Sequence, residues 1–101
     1  MANWRQLQSK LEELLENDHV YYQPPESVKI EYPGIIYSKS NIKVTHANDA
    51  KYSMKTRYEI IVIGREPDHP VIQKLLELPY CSYDRNYTTN NLYHDVLTLY
   101  Y

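Results

Sequence analysis

Two stretches of this chain mirror each other in polarity, and that symmetry limits the fold more than any other feature. Residues 34–44, GIIYSKSNIKV, begin apolar and become polar, whereas residues 53–64, SMKTRYEIIVIG, begin polar and end apolar. Joined by a polar loop at 45–51, THANDAK, they read as one long antiparallel hairpin. Its base sets Ile35, Ile36 and Tyr37 against Tyr58, Ile60, Ile61, Val62 and Ile63 and belongs in a core. The continuous IIVI run is the pattern of a central strand covered on both faces. Its far half, residues 38–56, projects with charges on both sides. A polar two-stranded hairpin is not stable alone. It is either a mobile loop or is ordered by a neighbouring subunit, and the second is the expectation here. The candidate subunit-contact residues are therefore Lys39, Asn41, Lys43, His46, Asn48, Asp49, Lys51 and Lys55.

The remaining elements are arranged around this hairpin. Residues 3–16 form an amphipathic helix, because Trp4, Leu7, Leu11, Leu14 and Leu15 recur at three- and four-residue steps. Asn3 and Gln6 make a capping-box-like start, and Asn17-Asp18 a stop. Residues 19–23, HVYYQ, are a short strand ended by Pro24-Pro25. An irregular connector follows over 26–32, then a turn at Pro33-Gly34. Asp68 caps a second helix with Pro70 in its first turn and an apolar face of Val71, Ile72, Leu75, Leu76 and Leu78, ended by Pro79. Residues 80–101 read as two strands about a polar turn at 88–91, the second running over 92–100 and lying inside the sheet. The order α-β-β-β-α-β-β defines an α+β class. One domain over residues 1–101 holds a mixed or mainly antiparallel sheet, flanked by two helices, with a long projecting β-hairpin. Trp4, Leu11, Ile61, Leu75 and Val96 are the expected core.

Aromatic choice is unusual: 12 Tyr, one Trp and no Phe. Tyr offers a large apolar face with a hydroxyl that tolerates water, which suits interfaces. So many are more than a 101-residue core can take in, so several belong on the surface or between subunits. A net charge of −2 argues against a dedicated nucleic-acid binder. The Lys and Arg look scattered in linear order. No apolar run approaches the roughly 20 residues of a membrane span, and the polar start MANWRQLQSK has no signal-peptide core. The single Cys81 excludes an intrachain disulfide and fits a reducing compartment.

No residue pattern points to catalysis, a cofactor or a metal. His94-Asp95 are adjacent in a strand and so face opposite ways, which prevents a His–carboxylate dyad. With Asn90-Asn91 at the turn centre, Tyr87 lies opposite His94 and Asn86 opposite Asp95. Asp84 and Arg85 are then near enough to pair diagonally with Asp95 or another charge, so Asp84, Arg85, His94 and Asp95 form a candidate structural polar cluster. His46, Asp49, Asp68 and His69 show no metal-ligand spacing. Only two glycines are present, so there is no phosphate-cradling loop. Tyrosines interleaved with Lys and Arg over 52–57 could stack on single-stranded bases.

Four blocks add a family resemblance: YYQPPE at 21–26, YPGIIY at 32–37, RYEIIVIGREPD at 57–68 and YDRNYTTNNLYHDVLTLYY at 83–101. Together they resemble the tail-completion or tail-terminator proteins of long-tailed bacteriophages and prophages, a family whose members are also called head-tail joining or minor tail proteins. In relatives the last block tends to read as Asp-Arg, an aromatic, Asp-Asn-Leu, a polar residue and His-Asp. Here Asp84-Arg85, Tyr87, Asn91-Leu92 and His94-Asp95 stand in those places, with Asn90 where an Asp is usual. The resemblance covers most of the chain from Tyr21 onward. It implies a non-enzymatic virion protein, assembled in the bacterial host's cytoplasm. It would form a hexameric ring on the head-proximal end of the tail tube, stop tube growth and dock the head connector. Its partners would be further copies of itself, the tail tube protein and neck proteins, with DNA only in transit through the channel. The rival readings are a head-completion adaptor on the connector side and a small prophage regulatory or nucleic-acid-binding protein.

Overall fold

The computed structural model describes residues 4–47 and 50–101, with the backbone alone over 41–55. The elements are α1 (Trp4–Leu15), β1 (Val20–Tyr22), β2 (Gly34–Ala47), β3 (Ala50–Gly64), α2 (Pro70–Leu76), β4 (Cys81–Thr89) and β5 (Leu92–Tyr100). They form an α+β domain whose five-stranded mixed sheet has the order β1-β2-β3-β5-β4. β1 pairs parallel to β2, and every other pairing is antiparallel.

Both helices pack on one face of the sheet. Leu7, Leu11 and Leu15 of α1 and Val71, Ile72 and Leu75 of α2 share one buried cluster with Ile35, Tyr37, Tyr58, Ile60, Val62, Leu97 and Leu99. These strand residues alternate with the opposite face, as period-2 geometry requires. On that second face Ile63 and Val96 are buried but Ile36 and Ile61 are only half-buried. The IIVI run is thus a central strand with a helix layer on one side, not on both. Leu11, Leu75 and Val96 are core residues as expected, whereas Trp4 and Ile61 stay partly exposed.

Local chemistry sets the element ends. α1 stops where Glu16 enters the left-handed region at φ 65° and donates its N–H to Glu12 O at 2.9 Å. Asn17 Oδ1 then accepts from His19 N–H at 2.8 Å, turning the chain into β1. The α2 cap is His69, not Asp68: its Nδ1 accepts from Val71 N–H at 3.0 Å, and Pro70 takes the first helical position. Asp68 itself sits at φ 58°. Gly34 is required by close approach, since a Cβ there would meet Glu31 O at 2.5 Å and His19 O at 3.3 Å.

The connector from β1 to β2 is held near its end. Glu31 N–H donates to the Tyr21 hydroxyl at 3.2 Å, and Glu31 also pairs with His19 Nε2 at 2.9 Å. His19 Nδ1 donates to Pro33 O at 3.1 Å, and the Tyr32–Pro33 peptide is cis.

Four aromatic rings mark the base of the long hairpin. Trp4 stacks on Tyr22 at 4.9 Å, Tyr22 lies 4.8 Å from Tyr37, and Tyr58 lies 6.0 Å from Tyr37. The buried Tyr37 hydroxyl donates within reach of Gln8 Oε1 (2.7 Å) and Trp4 O (3.1 Å). Burial, reinforced by Tyr58 and Tyr22, pushes the Tyr37 phenol far above its ordinary range. Tyr37 thus uses a hydroxyl that finds its partners across layers, as Phe could not.

Candidate functional site

β2 and β3 stay paired to Ala47 and Ala50, so most of the expected loop at 45–51 is strand. Asn48 and Asp49 lie outside the described residues. Beyond its base this hairpin is a bare two-stranded ribbon. β1 pairs only with residues 35–37 of β2. On the other side, the backbones of Thr56 and Tyr101 exchange hydrogen bonds of 3.0 and 3.3 Å, the last pairing of β3 on its β5 side among the described residues. Among the described residues no third strand flanks the ribbon past those points. The molecule measures 51 × 26 × 23 Å with a radius of gyration of 14.5 Å, against about 13 Å for a compact chain of this length. The long axis is the ribbon's doing. A bulge at Ser40, whose Oγ donates to Arg57 O at 3.0 Å, adds twist where the ribbon leaves the body.

Charge is divided unevenly between the ribbon and the body. Residues 38–57 carry Lys39, Lys43, Lys51, Lys55 and Arg57 against Asp49 alone, a net +4. The remaining six basic and twelve acidic residues leave the body at −6. Register sets Lys43 opposite Lys55 and His46 opposite Lys51. Like charges at facing positions weaken a hairpin, so the ribbon's sequence does not favour its standing alone. Lys39 is exposed at the base, its N–H donating to Gln23 Oε1 at 3.0 Å. Asn41, Lys43, His46, Lys51 and Lys55 are placed on the ribbon by backbone position.

The second region is the β4–β5 hairpin. Asn90 and Asn91, at φ 52° and 62°, make its two-residue turn, the combination a type I′ hairpin needs. The register puts Tyr87 opposite His94 and Asn86 opposite Asp95. The anticipated four-residue polar cluster nevertheless separates into local pairs. Arg85 pairs with its neighbour Asp84 at 2.7 Å, not with Asp95. Asp95 Oδ1 instead accepts from the Tyr83 hydroxyl at 2.6 Å, and that bond holds the Tyr83 phenol above its ordinary range. His94 stacks on Tyr87 at 4.6 Å and donates from Nδ1 to Leu92 O at 3.1 Å. Arg85, opposite Val96, lies on the face away from Asp95, and Tyr83 is brought to Asp95 by a bulge at Asp84. The bulge shifts Tyr83 from facing Thr98 to facing Leu97 and so moves it to the face that carries Asp95.

β4 is an edge strand, exposed from Ser82 through Thr89. Beside it is a cleft of about 250 Å³ lined by Asp68, Asp95, Tyr83, Tyr87, Tyr93 and His94 among others. Among the described residues Tyr80, Tyr83, Tyr87 and Tyr93 are the exposed tyrosines. Cys81, half-buried at the start of β4, has its thiol pushed up by burial, the setting of an unreactive thiol. Among the described residues no three His, Cys, Asp or Glu side chains converge as metal ligands, and no helix is long and apolar enough to cross a membrane. No protein-family model matches the chain, and no curated protein sequence matches it significantly.

Proposed function

We propose that this chain is a structural ring subunit of the phage tail-terminator kind, acting by geometry and without catalysis. Several copies, six by the resemblance, would cap the head-proximal end of a tail tube. One face of the ring would stop tube growth and the other would present a docking surface to the head connector. The observation that carries this reading is the projecting ribbon on a small body. A polar two-stranded ribbon is costly to hold in water and gains its partner strands and counter-charges in an assembly. Exposed tyrosines at the opposite edge of the sheet supply the kind of surface that protein interfaces use.

The test is light scattering on the purified protein, followed by electron microscopy with isolated tail tubes. The expected result is a closed ring that decorates one end of each tube. A protein that remains monomeric even with tubes present overturns the reading. Gene deletion separates it from the connector-side adaptor: overlong or unstable tails with normal filled heads favour the terminator, and normal tails with leaking heads favour the adaptor.

One observation favours a second reading, nucleic-acid binding. The ribbon is basic, and a two-stranded β-ribbon fits a DNA major groove. That reading requires a DNA mobility shift whose strength falls steeply with salt.

A further inference from the structure

We infer that the ribbon of one copy adds as a strand to the open β4 edge of the next, head to tail, with its positive charge set against the acidic body. This rests on the ring reading and specifies the contact that would build it. Three independent features converge on it. First, the molecule has complementary open edges. The ribbon lacks a flanking strand beyond residues 37 and 56, and β4 offers nine residues whose outer side faces no strand among the described residues. Backbone N–H and C=O groups along such edges are templates for strand addition. Second, the charges are complementary: +4 on the ribbon and −6 on the body. Third, the β4 end carries Asp68, Asp84 and Asp95, while Arg85 is already paired with Asp84. The cleft there combines two carboxylates with tyrosine faces, which is favourable chemistry for a lysine from a neighbour.

A second copy fits these features better than a nucleic acid does, because a phosphate backbone offers no ladder of alternating donors and acceptors to a strand edge. The contact is heterologous, joining two different patches of one molecule. Such a contact closes into a ring when the rotation per step allows it. The bulge at Asp84 divides the β4 edge and confines pairing to its turn-proximal part, residues 85–89. Indiscriminate edge pairing is thereby limited.

Two variants test the inference. In the first, residues 44–54 are replaced by Asn-Gly, closing the hairpin at the hydrogen-bonded Lys43–Lys55 pair and removing most of the ribbon. The second is Thr88→Pro. Thr89 and Leu92 flank the two-residue turn and bond each other, so by alternation Thr88 turns its N–H outward. Proline there blocks the open edge and spares the ladder to β5. Circular dichroism and thermal melting establish that each variant folds. If Thr88→Pro does not, Asn86→Pro, whose N–H faces outward by the same alternation, replaces it as the edge-blocked partner.

The expected result is that wild type assembles, each variant alone stays monomeric, and an equimolar mixture of the two stops at a 1:1 dimer. That dimer weakens roughly tenfold from low to high salt. Assembly of Thr88→Pro on its own would overturn the β4 contact and leave the ring reading standing. Wild type that never assembles, even with tail tubes, would overturn both. A ribbon that shifts a DNA probe while the mixture forms no dimer would assign the ribbon to nucleic acid instead.

Discussion

The molecule contains two long antiparallel hairpins, and they are stabilised in opposite ways. β4–β5 has a strongly encoded turn at Asn90-Asn91, and β5 lies between β3 and β4 with Leu97 and Leu99 in the core. β2–β3 is longer, has a well-buried base, and then extends past the last flanking strand with lysines facing each other. The difference teaches that a hairpin is held by its third strand and its buried face rather than by its length. Where the sheet supplies both, the hairpin is part of the body. Where the flanking strands end, the hairpin is an arm.

The sharpest way to break this comparison is to damage the hairpin that has a buried face. Leu97 is fully buried against the helices. Leu97→Ala is expected to cost about 2–5 kcal/mol, read as a lower denaturation midpoint in urea. Tyr37→Phe comes next. It removes the hydroxyl that bonds Gln8 and Trp4 across layers and should cost about 1–2 kcal/mol.

The same phenol makes a pH prediction. Its folded pKa lies above the unfolded value, so its contribution is fully present below the ordinary value of 10.0 and is lost as pH rises past it. Wild type should lose stability in strong alkali, and Tyr37→Phe should lose less. Tyrosinate absorbance during an alkaline titration should show the Tyr37 proton leaving only with unfolding. An early, reversible release would contradict its burial.

Asn91→Ala probes the turn. At φ 62° an alanine costs about 1 kcal/mol, whereas Asn91→Gly should be neutral or slightly stabilising. Removing the ribbon over residues 44–54 should change body stability least, by about 0.5 kcal/mol or less. A larger loss would mean that the ribbon belongs to the core and that the two hairpins do not differ as described.

Much of the fold was legible in the sequence because its signals were local. The mirrored polarity of 34–64 gave the long hairpin, and Asn90-Asn91 gave a turn whose register correctly set Tyr87 against His94. Other features depended on structure that sequence spacing does not carry. The Asp84 bulge adds one residue to β4 and moves Tyr83 to the face of Asp95, whereas Arg85, opposite Val96, lies on the other face and pairs with Asp84. The placement of both helices on one face left Ile61 half-exposed despite its apolar run. The ribbon's charge, by contrast, was legible, since five of the eleven basic residues fall in the contiguous segment 38–57. One miss was avoidable. Pro70 at the first helical position makes the preceding residue the cap, so His69 and not Asp68 was the residue to choose.

The account's central claim is that the ribbon is completed by another copy, and amide hydrogen exchange tests it most directly. Peptides covering residues 40–47 and 50–55 should exchange rapidly in dilute monomer and become strongly protected on assembly, together with residues 85–89 of β4. The β5 peptides should be protected in both states. Equal exchange of the ribbon in monomer and assembly would contradict the claim.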